Sequence, residues 1–414
     1  MDTFLQQKSA AADPHHRCPS PRFYRPELDG LRWVAFLLVF CAHSNLRVTG
    51  WSGMGDWLPG VASGGAFGVD LFFILSAYLI TELLRREKLA TGSVDIRGFY
   101  LRRILRIWPL YFVFVGFWFV ARGFTPPPNS FPTSALLAFL SLTGNWYVAA
   151  NPTFHSPVVV LWSVSVEEQF YFIWPWAVRF ASRTGMISLA CLLGVGAWAA
   201  QLVLFRRETD LRAVWSNSLV HGGAIAMGIV SAVLLEGRAP RIHRYGRIVM
   251  FLGGLLLLGG CNGVFGYADG HASFPHETAG MECGLLGAAL LFYAFLGAPQ
   301  DGLGFSAGRG LASLGRISYG LYVFHYAVLD VVGYTLRRFT GRYPSWERFG
   351  ISLSITLALA WASYRWFESP FLAFRRRFTH IQSGPNEAAP TGYEQRPPTA
   401  QHERMSIYAE GKGE

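Results

Sequence analysis

The feature that most constrains the fold of this chain is a series of apolar blocks, several of them close to 18 residues long and almost free of charge. Blocks of that length and composition are typical of helices that cross a lipid bilayer. Only 15% of the 414 residues are charged, whereas 51% are hydrophobic. The sequence therefore predicts an all-α, polytopic membrane protein built as a bundle of helices.

The distribution of basic residues sets the number of crossings. The loop after the second apolar block is the most basic segment, which places it in the cytoplasm under the positive-inside rule. The basic run 375–377 is assigned to the same side, and the two assignments agree only if residues 133–157 do not cross. We therefore interpret 133–157 as a re-entrant segment between the third and fourth of about ten transmembrane helices. The predicted spans are residues 31–46, 67–84, 107–120, 165–182, 186–205, 215–235, 247–264, 279–297, 316–336 and 350–370.

Composition divides the chain into three regions. Residues 1–22 are polar and contain three prolines, so we expect a disordered cytoplasmic arm; residues 23–372 form the membrane domain. Residues 373–414 begin basic and continue as a disordered cytoplasmic tail. The net charge of +10 is explained by the cytoplasmic loops and does not indicate nucleic-acid binding. The five cysteines are scattered and have no C-x-x-C spacing, so we expect no disulfide framework and no metal site.

Two ionisable residues frame the first apolar block. On a continuous helix His43 would lie roughly 16 Å deeper than Arg32, about half of a roughly 30 Å hydrocarbon core. An ionisable group at that depth is costly, which favours a functional residue that faces the protein interior. The alternative is that Arg32 anchors the helix at the interface and His43 only bonds a neighbouring helix.

Asp70 stands near the start of the second block, at a depth close to that of His43 on an antiparallel neighbour. A carboxylate at this position could orient the imidazole and stabilise its cation. The alternative is that Asp70 interacts with the partial positive charge of its own helix N-terminus.

A cluster of arginines precedes the third block. Arg103 and Arg106 share a helix face at i, i+3 spacing, and Arg102 joins Arg106 at i, i+4. Guanidinium forks suit phosphate groups, so the cluster could hold a phosphorylated donor such as coenzyme A. The alternative is a topology signal or a contact with lipid headgroups.

Glu167 and Glu168 are adjacent carboxylates at the entrance of the fourth block. On a helix they point about 100° apart, so at most one is expected to face a site. The alternative is a capping arrangement that begins at Ser163 or Ser165. His325 lies near mid-depth of a late block, where it could line the same cavity or bond across helices.

Taken together, four stretches resemble acyltransferase family 3, the integral-membrane O-acyltransferases that include bacterial O-antigen acetylases. Arg32 stands ten residues before His43, and residues 68–73 read GVDLFF. The other two stretches are Arg102-Arg103-x-x-Arg106 and the segment WSVSVEEQFY at residues 162–171. The resemblance covers residues 23–372. Ala77 departs from the family pattern, which usually has glycine after the serine at position 76.

The resemblance implies a membrane enzyme that moves an acyl group, commonly acetyl, from acyl-CoA to a hydroxyl of a cell-surface or lipid-linked carbohydrate. It implies a cell membrane location, a bacterial inner membrane. Separately, no His/Cys cluster in the sequence has ligand spacing, so we expect no metal cofactor. His43 would be the catalytic base. The other catalytic candidates are Asp70, Glu167 and Glu168. The arginines implied to bind acyl-CoA are Arg32, Arg102, Arg103 and Arg106. The candidates for contact with the acceptor are Trp162, Ser165, Tyr171 and His325.

The alternative function is that of a transporter or flippase for a saccharide or a lipid-linked precursor. In such a protein the buried ionisable residues would form a pathway for a proton or a substrate. A transporter would often show a repeated half, and the sequence has no apparent internal repeat.

Overall fold

The computed structural model describes residues 23–44, 62, 64–124, 131–207, 209–263, 274–297, 309–341, 345–379 and 381. This part of the chain is helical and contains no β-strand, which confirms the all-α prediction. The predicted arm (1–22) and the tail from residue 382 lie outside the described residues. In chain order the α-helices are α1 (Pro26–Ser44), α2 (Gly68–Thr91), α3 (Ile96–Ala121), α4 (Thr133–Leu140), α5 (Gly144–Ala150), α6 (Trp162–Phe180), α7 (Arg183–Arg206), α8 (Leu211–Trp215), α9 (Gly222–Leu235), α10 (Arg244–Gly263), α11 (Phe274–Phe295), α12 (Arg309–Arg316), α13 (Ser318–Thr340), α14 (Ser345–Ala362) and α15 (Ser369–Arg375).

Five segments in the described part of the chain are long and apolar enough to cross a membrane, which supports the polytopic prediction. They are Gly65–Thr91, Ile96–Ala121, Arg183–Arg206, Arg244–Cys261 and His276–Phe295. The ten-span count stays a prediction. Helices α1 and α6 are long enough but not apolar enough to be counted among these segments, because each carries three charged residues. Such charges lower the hydropathy of a helix even when they face an internal cavity.

Helix α2 lies at the centre of the bundle. In its segment, 78% of the most apolar stretch is buried. In Arg183–Arg206 only 17% of the corresponding stretch is buried, so that helix lies at the periphery of the bundle. Helix α9 packs closely against α2 at Gly228, where a Cβ would collide with the Ile74 carbonyl oxygen. Small residues at such a crossing let two helix backbones approach one another.

A tight turn holds α2 next to α3. Helix α2 ends at Thr91 and is capped by Gly92, whose φ of 79° is left-handed and whose N–H donates to the Lys88 carbonyl. Asp95 then caps α3 by accepting a hydrogen bond from the Gly98 amide at 3.0 Å. This turn is further fixed by Glu87, whose carboxylate accepts from the Asp95 amide at 2.8 Å. The turn therefore brings the basic start of α3 against α2.

The segment predicted to be re-entrant contains two short helices. Helices α4 and α5 have eight and seven residues, so each is roughly 10–12 Å long and too short to cross a bilayer alone. The turn between them includes Leu142 in the left-handed region, with φ 58°. Gln169 of α6 donates to Asn145 Oδ1 at 2.8 Å and to the Leu142 carbonyl at 3.3 Å, which holds the pair of helices against α6.

Candidate active site

A cavity of about 530 Å³ opens where the first turns of α1 meet α2, α3, α6, α13 and α15. Eight arginines and four carboxylates line it, so its charge favours an anionic ligand. The lining arginines include all four that the sequence assigned to the donor, Arg32, Arg102, Arg103 and Arg106. The sequence reasoning missed the other four, Arg25, Arg316, Arg375 and Arg376.

Part of this positive charge is neutralised within the wall. Arg32 is paired with Asp29 one turn earlier on α1. The hydroxyl of Tyr24 donates to the other oxygen of Asp29 at 3.0 Å. Burial raises the pKa of Tyr24 to about 12, so this phenol remains a neutral donor at physiological pH.

Arg102 also has a structural role. It donates to Glu87 Oε2 at 2.8 Å and to the Phe378 carbonyl at 2.6 Å, which ties α2 to the segment after α15. The ordered wall of the cavity thus continues past residue 372, and the basic run at residues 375–377 is more than a topology signal.

Arg103 and Arg106 are different, because neither forms an ion pair with a carboxylate in the described part of the chain. The Arg103 guanidinium lies 5.7 Å from the ring centroids of both Phe99 and Tyr171. Its buried Nε has no hydrogen-bond partner among the described residues. A cation in a protein interior is costly without a counter-charge. These two side chains are therefore suited to bind an anion that enters the cavity.

The two adjacent glutamates separate as their helical spacing predicts. Glu167 lines the cavity, together with Tyr171 and Ser76, whose hydroxyls contact each other. Glu168 points away from the cavity and accepts a hydrogen bond from Trp108 Nε1 at 3.0 Å. Glu167 is therefore the glutamate placed to meet a ligand.

His43 and His325 meet across α1 and α13. His325 Nδ1 lies 2.6 Å from the Tyr322 carbonyl oxygen, and His325 Nε2 lies 3.1 Å from His43 Nδ1. Because a carbonyl can only accept, His325 carries its proton on Nδ1 and presents a lone pair at Nε2. His43 then donates through Nδ1, so its own basic lone pair is on Nε2. His325 thus bonds across helices and sets the tautomer of His43.

The histidine pair lies directly behind the inner wall of the cavity. Tyr322 lines the cavity, and its ring centroid is 5.4 Å from that of His325. The Tyr322 hydroxyl is hydrogen-bonded with Ser163 Oγ at 2.6 Å, and the Tyr322 ring packs edge-on against that of Phe72 with 6.0 Å between centroids. The cavity and the histidine pair are therefore neighbours, although neither histidine is part of the cavity wall.

Asp70 has a different partner from the one suggested by its depth. Its Oδ1 lies 2.7 Å from Nδ1 of the fully buried His221, whose Nε2 lies 2.7 Å from the Trp215 carbonyl oxygen. The structure thus corrects the pairing with His43, because the Asp70 carboxylate is directed to His221 at the start of α9 instead. Trp162 stacks on the His221 ring at 5.2 Å. No pattern in the sequence indicated His221.

Three of the four candidates for contact with the acceptor, among them His325 behind Tyr322, therefore lie outside the cavity. Trp162 covers His221, and Ser165 is fully buried in the protein interior. Tyr171 does line the cavity, on the arginine side.

Comparison with known proteins shows which family the chain is similar to. The profile of a family described as an acyltransferase domain, Acyl_transf_3, matches residues 25–365. The chain is 26% identical over 367 residues to the peptidoglycan O-acetyltransferase OatA of Listeria monocytogenes, covering 84% of this chain and 56% of OatA. It is 29% identical over 393 residues to the putative peptidoglycan O-acetyltransferase YrhL of Bacillus subtilis, covering 88% of this chain and 58% of YrhL.

A putative O-acetyltransferase of Staphylococcus aureus strain MSSA476 is 26% identical over 373 residues, covering 84% of this chain and 57% of the relative. The chain thus spans a little over half the length of these relatives. No solved structure matches it.

Proposed function

Because this chain belongs to acyltransferase family 3, we propose that it is a membrane O-acetyltransferase that moves an acetyl group from acetyl-CoA to a hydroxyl of a cell-envelope carbohydrate. Peptidoglycan is the first acceptor to consider, since two of the relatives carry it in their names. The observation that carries the proposal is the position of Arg103 and Arg106. They are cations without an ion-pair partner among the described carboxylates, in a cavity whose inner wall at Tyr322 adjoins the histidine pair.

The donor would bind at the arginine end of the cavity. Guanidinium groups form paired, charge-assisted hydrogen bonds with phosphate oxygens. A volume of about 530 Å³ is within the usual range for small-molecule sites. Arg32 and His43 are separated by about 16 Å along α1. A donor held by its phosphates therefore needs a long flexible arm to bring its acyl group to His43, and coenzyme A has such an arm.

The transfer can be completed with the groups at hand. Nε2 of His43 takes the proton of the acceptor hydroxyl as that oxygen attacks the thioester carbonyl. The carbon–sulfur bond then breaks, and the imidazolium returns the proton to the departing sulfur. The products are the acetyl ester and free coenzyme A, with no net gain or loss of protons. His325 would hold His43 in the tautomer that this step requires.

Replacing Arg103 or Arg106 by alanine is expected to weaken donor binding. Each lost charge-assisted contact should cost about 1.5–3 kcal/mol, which raises the KM for acetyl-CoA by roughly one to two orders of magnitude. Acceptor KM should change much less. Arg97→Ala is the matched control, because Arg97 is an exposed arginine on the same helix, α3. Equal losses for the two substrates in the Arg103 and Arg106 variants would contradict a donor site.

We also propose that the protein has about ten transmembrane helices, with both termini in the cytoplasm and the segment α4–α5 on the outer face. In a cysteine-free background, Ser134→Cys and Thr153→Cys should react with an impermeant maleimide in intact cells, because both positions are exposed. Ser93→Cys, in the exposed turn between α2 and α3, should react only after permeabilisation. Labelling of Thr153→Cys from the cytoplasm alone would contradict both the re-entrant segment and the ten-span count.

A further inference from the structure

A second pair of a histidine and a carboxylate lies beyond His43, on the side away from the arginines that line the cavity. His155, in the chain between α5 and α6, has its Nε2 3.5 Å from Oδ2 of Asp330 on α13. Asp330 follows His325 by five residues, so it lies about 7.5 Å further along the helix from the arginine cavity. The donor site does not include this pair.

An aromatic side chain connects this pair to the proposed base. The ring of Tyr326 lies edge-on to His43, with 5.3 Å between centroids. On its other side, the Tyr326 ring centroid lies 6.1 Å from that of His155. His43, Tyr326, His155 and Asp330 thus form one contiguous group.

The side chains of His155 and Asp330 are more exposed than those of the structural pair Asp70–His221. The side chains of His155 and Asp330 are 34% and 26% exposed, whereas those of His221 and Asp70 are 0% and 4% exposed at a distance of 2.7 Å. Oδ2 of Asp330 is buried; His155 Nε2 approaches it to 3.5 Å without forming a hydrogen bond, so Oδ2 has no hydrogen-bond partner among the described residues. A carboxylate that is partly exposed and lacks a hydrogen bond at one oxygen has capacity to accept hydrogen bonds from a ligand.

We propose that His155, Asp330 and Tyr326 form the binding site for the carbohydrate acceptor. Asp330 would accept hydrogen bonds from sugar hydroxyls, His155 would add a further polar contact, and the Tyr326 ring would provide an apolar surface for the sugar. The donor and the acceptor would then enter from opposite ends and meet at His43. This inference rests on the proposed O-acetyltransferase function and specifies where its acceptor binds.

The test compares Asp330→Asn and His155→Gln with the unaltered full-length chain, using acetyl-CoA and muramidase-solubilised peptidoglycan. We expect each substitution to raise the acceptor KM at least tenfold, while the Kd for acetyl-CoA stays within twofold of that of the unaltered protein. Glu347→Gln is the matched control, because Glu347 is an exposed carboxylate at the start of α14, the helix that follows α13. It should leave both constants unchanged.

The possible failures are distinct. If the unaltered protein binds acetyl-CoA but transfers no acetyl group to the solubilised peptidoglycan, the proposed function with this acceptor is wrong. If the unaltered protein is active and both variants keep its acceptor KM, the acceptor site is wrong while the function stands. Weaker acetyl-CoA binding in both variants would also overturn the acceptor site, since it would indicate a general structural role.

Discussion

His43→Ala is expected to abolish acetyl transfer and to leave the binding of acetyl-CoA unchanged. A positioned general base contributes typically 10²–10⁴-fold to a rate, because an acceptor hydroxyl has a pKa far above 7 and attacks slowly while it keeps its proton. The loss should therefore appear in kcat. The Kd for acetyl-CoA should be retained, because His43 lies beyond the cavity wall that the arginines share.

Two controls make this result specific. His243→Ala should keep near-normal activity, since His243 is an exposed histidine in the chain before α10. His325→Gln should lower kcat less than His43→Ala does and should displace the pH profile of kcat, because it removes the acceptor that fixes the His43 tautomer. Activity above one tenth of the normal value in a folded His43→Ala protein would exclude His43 as the base.

Much of the candidate site could be predicted from the sequence, because the relative positions of many of its residues depend on spacing within one helix. Arg32 and His43 lie on the single helix α1, and three of the donor-site arginines lie on α3. The angle between consecutive helical residues similarly required Glu167 and Glu168 to diverge. Local periodicity, however, could not indicate which of the two glutamates meets the cavity.

Contacts between distant parts of the chain could not be predicted in this way. Asp70 and His221 are far apart in sequence, and their pairing depends on how closely α9 packs against α2 at Gly228. The sequence alone indicated only a topology signal at Arg375. A basic run near the end of a span has the same composition whether it marks the cytoplasmic side or lines a cavity. The place of Arg375 in the cavity wall follows from the path of the chain through the π-helical segment Ser363–Glu368, which joins α14 to α15.

Loss of the Asp70–His221 pair is expected to cause the largest fall in stability. Both nitrogens of His221 lie 2.7 Å from an oxygen, that of the Trp215 carbonyl and Oδ1 of Asp70, so each of the two contacts needs a proton between its atoms. The site is enclosed by Trp162, Trp215 and Phe73. Asp70→Leu should cost about 3–5 kcal/mol, because it leaves a buried imidazole N–H or charge without its partner. The measurement is the thermal unfolding of the detergent-solubilised protein.

The double variant Asp70→Leu, His221→Phe separates a positioning role for Asp70 from a catalytic one. Replacing both members of a buried ion pair with apolar residues often restores stability, and the three surrounding aromatic rings provide an apolar site for phenylalanine. We expect the double variant to regain most of the lost thermal stability and, with it, acetyl transfer per folded molecule. If Asp70 acted on His43 or on a substrate, the double variant would be stable and inactive. Recovery of stability without activity would therefore contradict the positioning role.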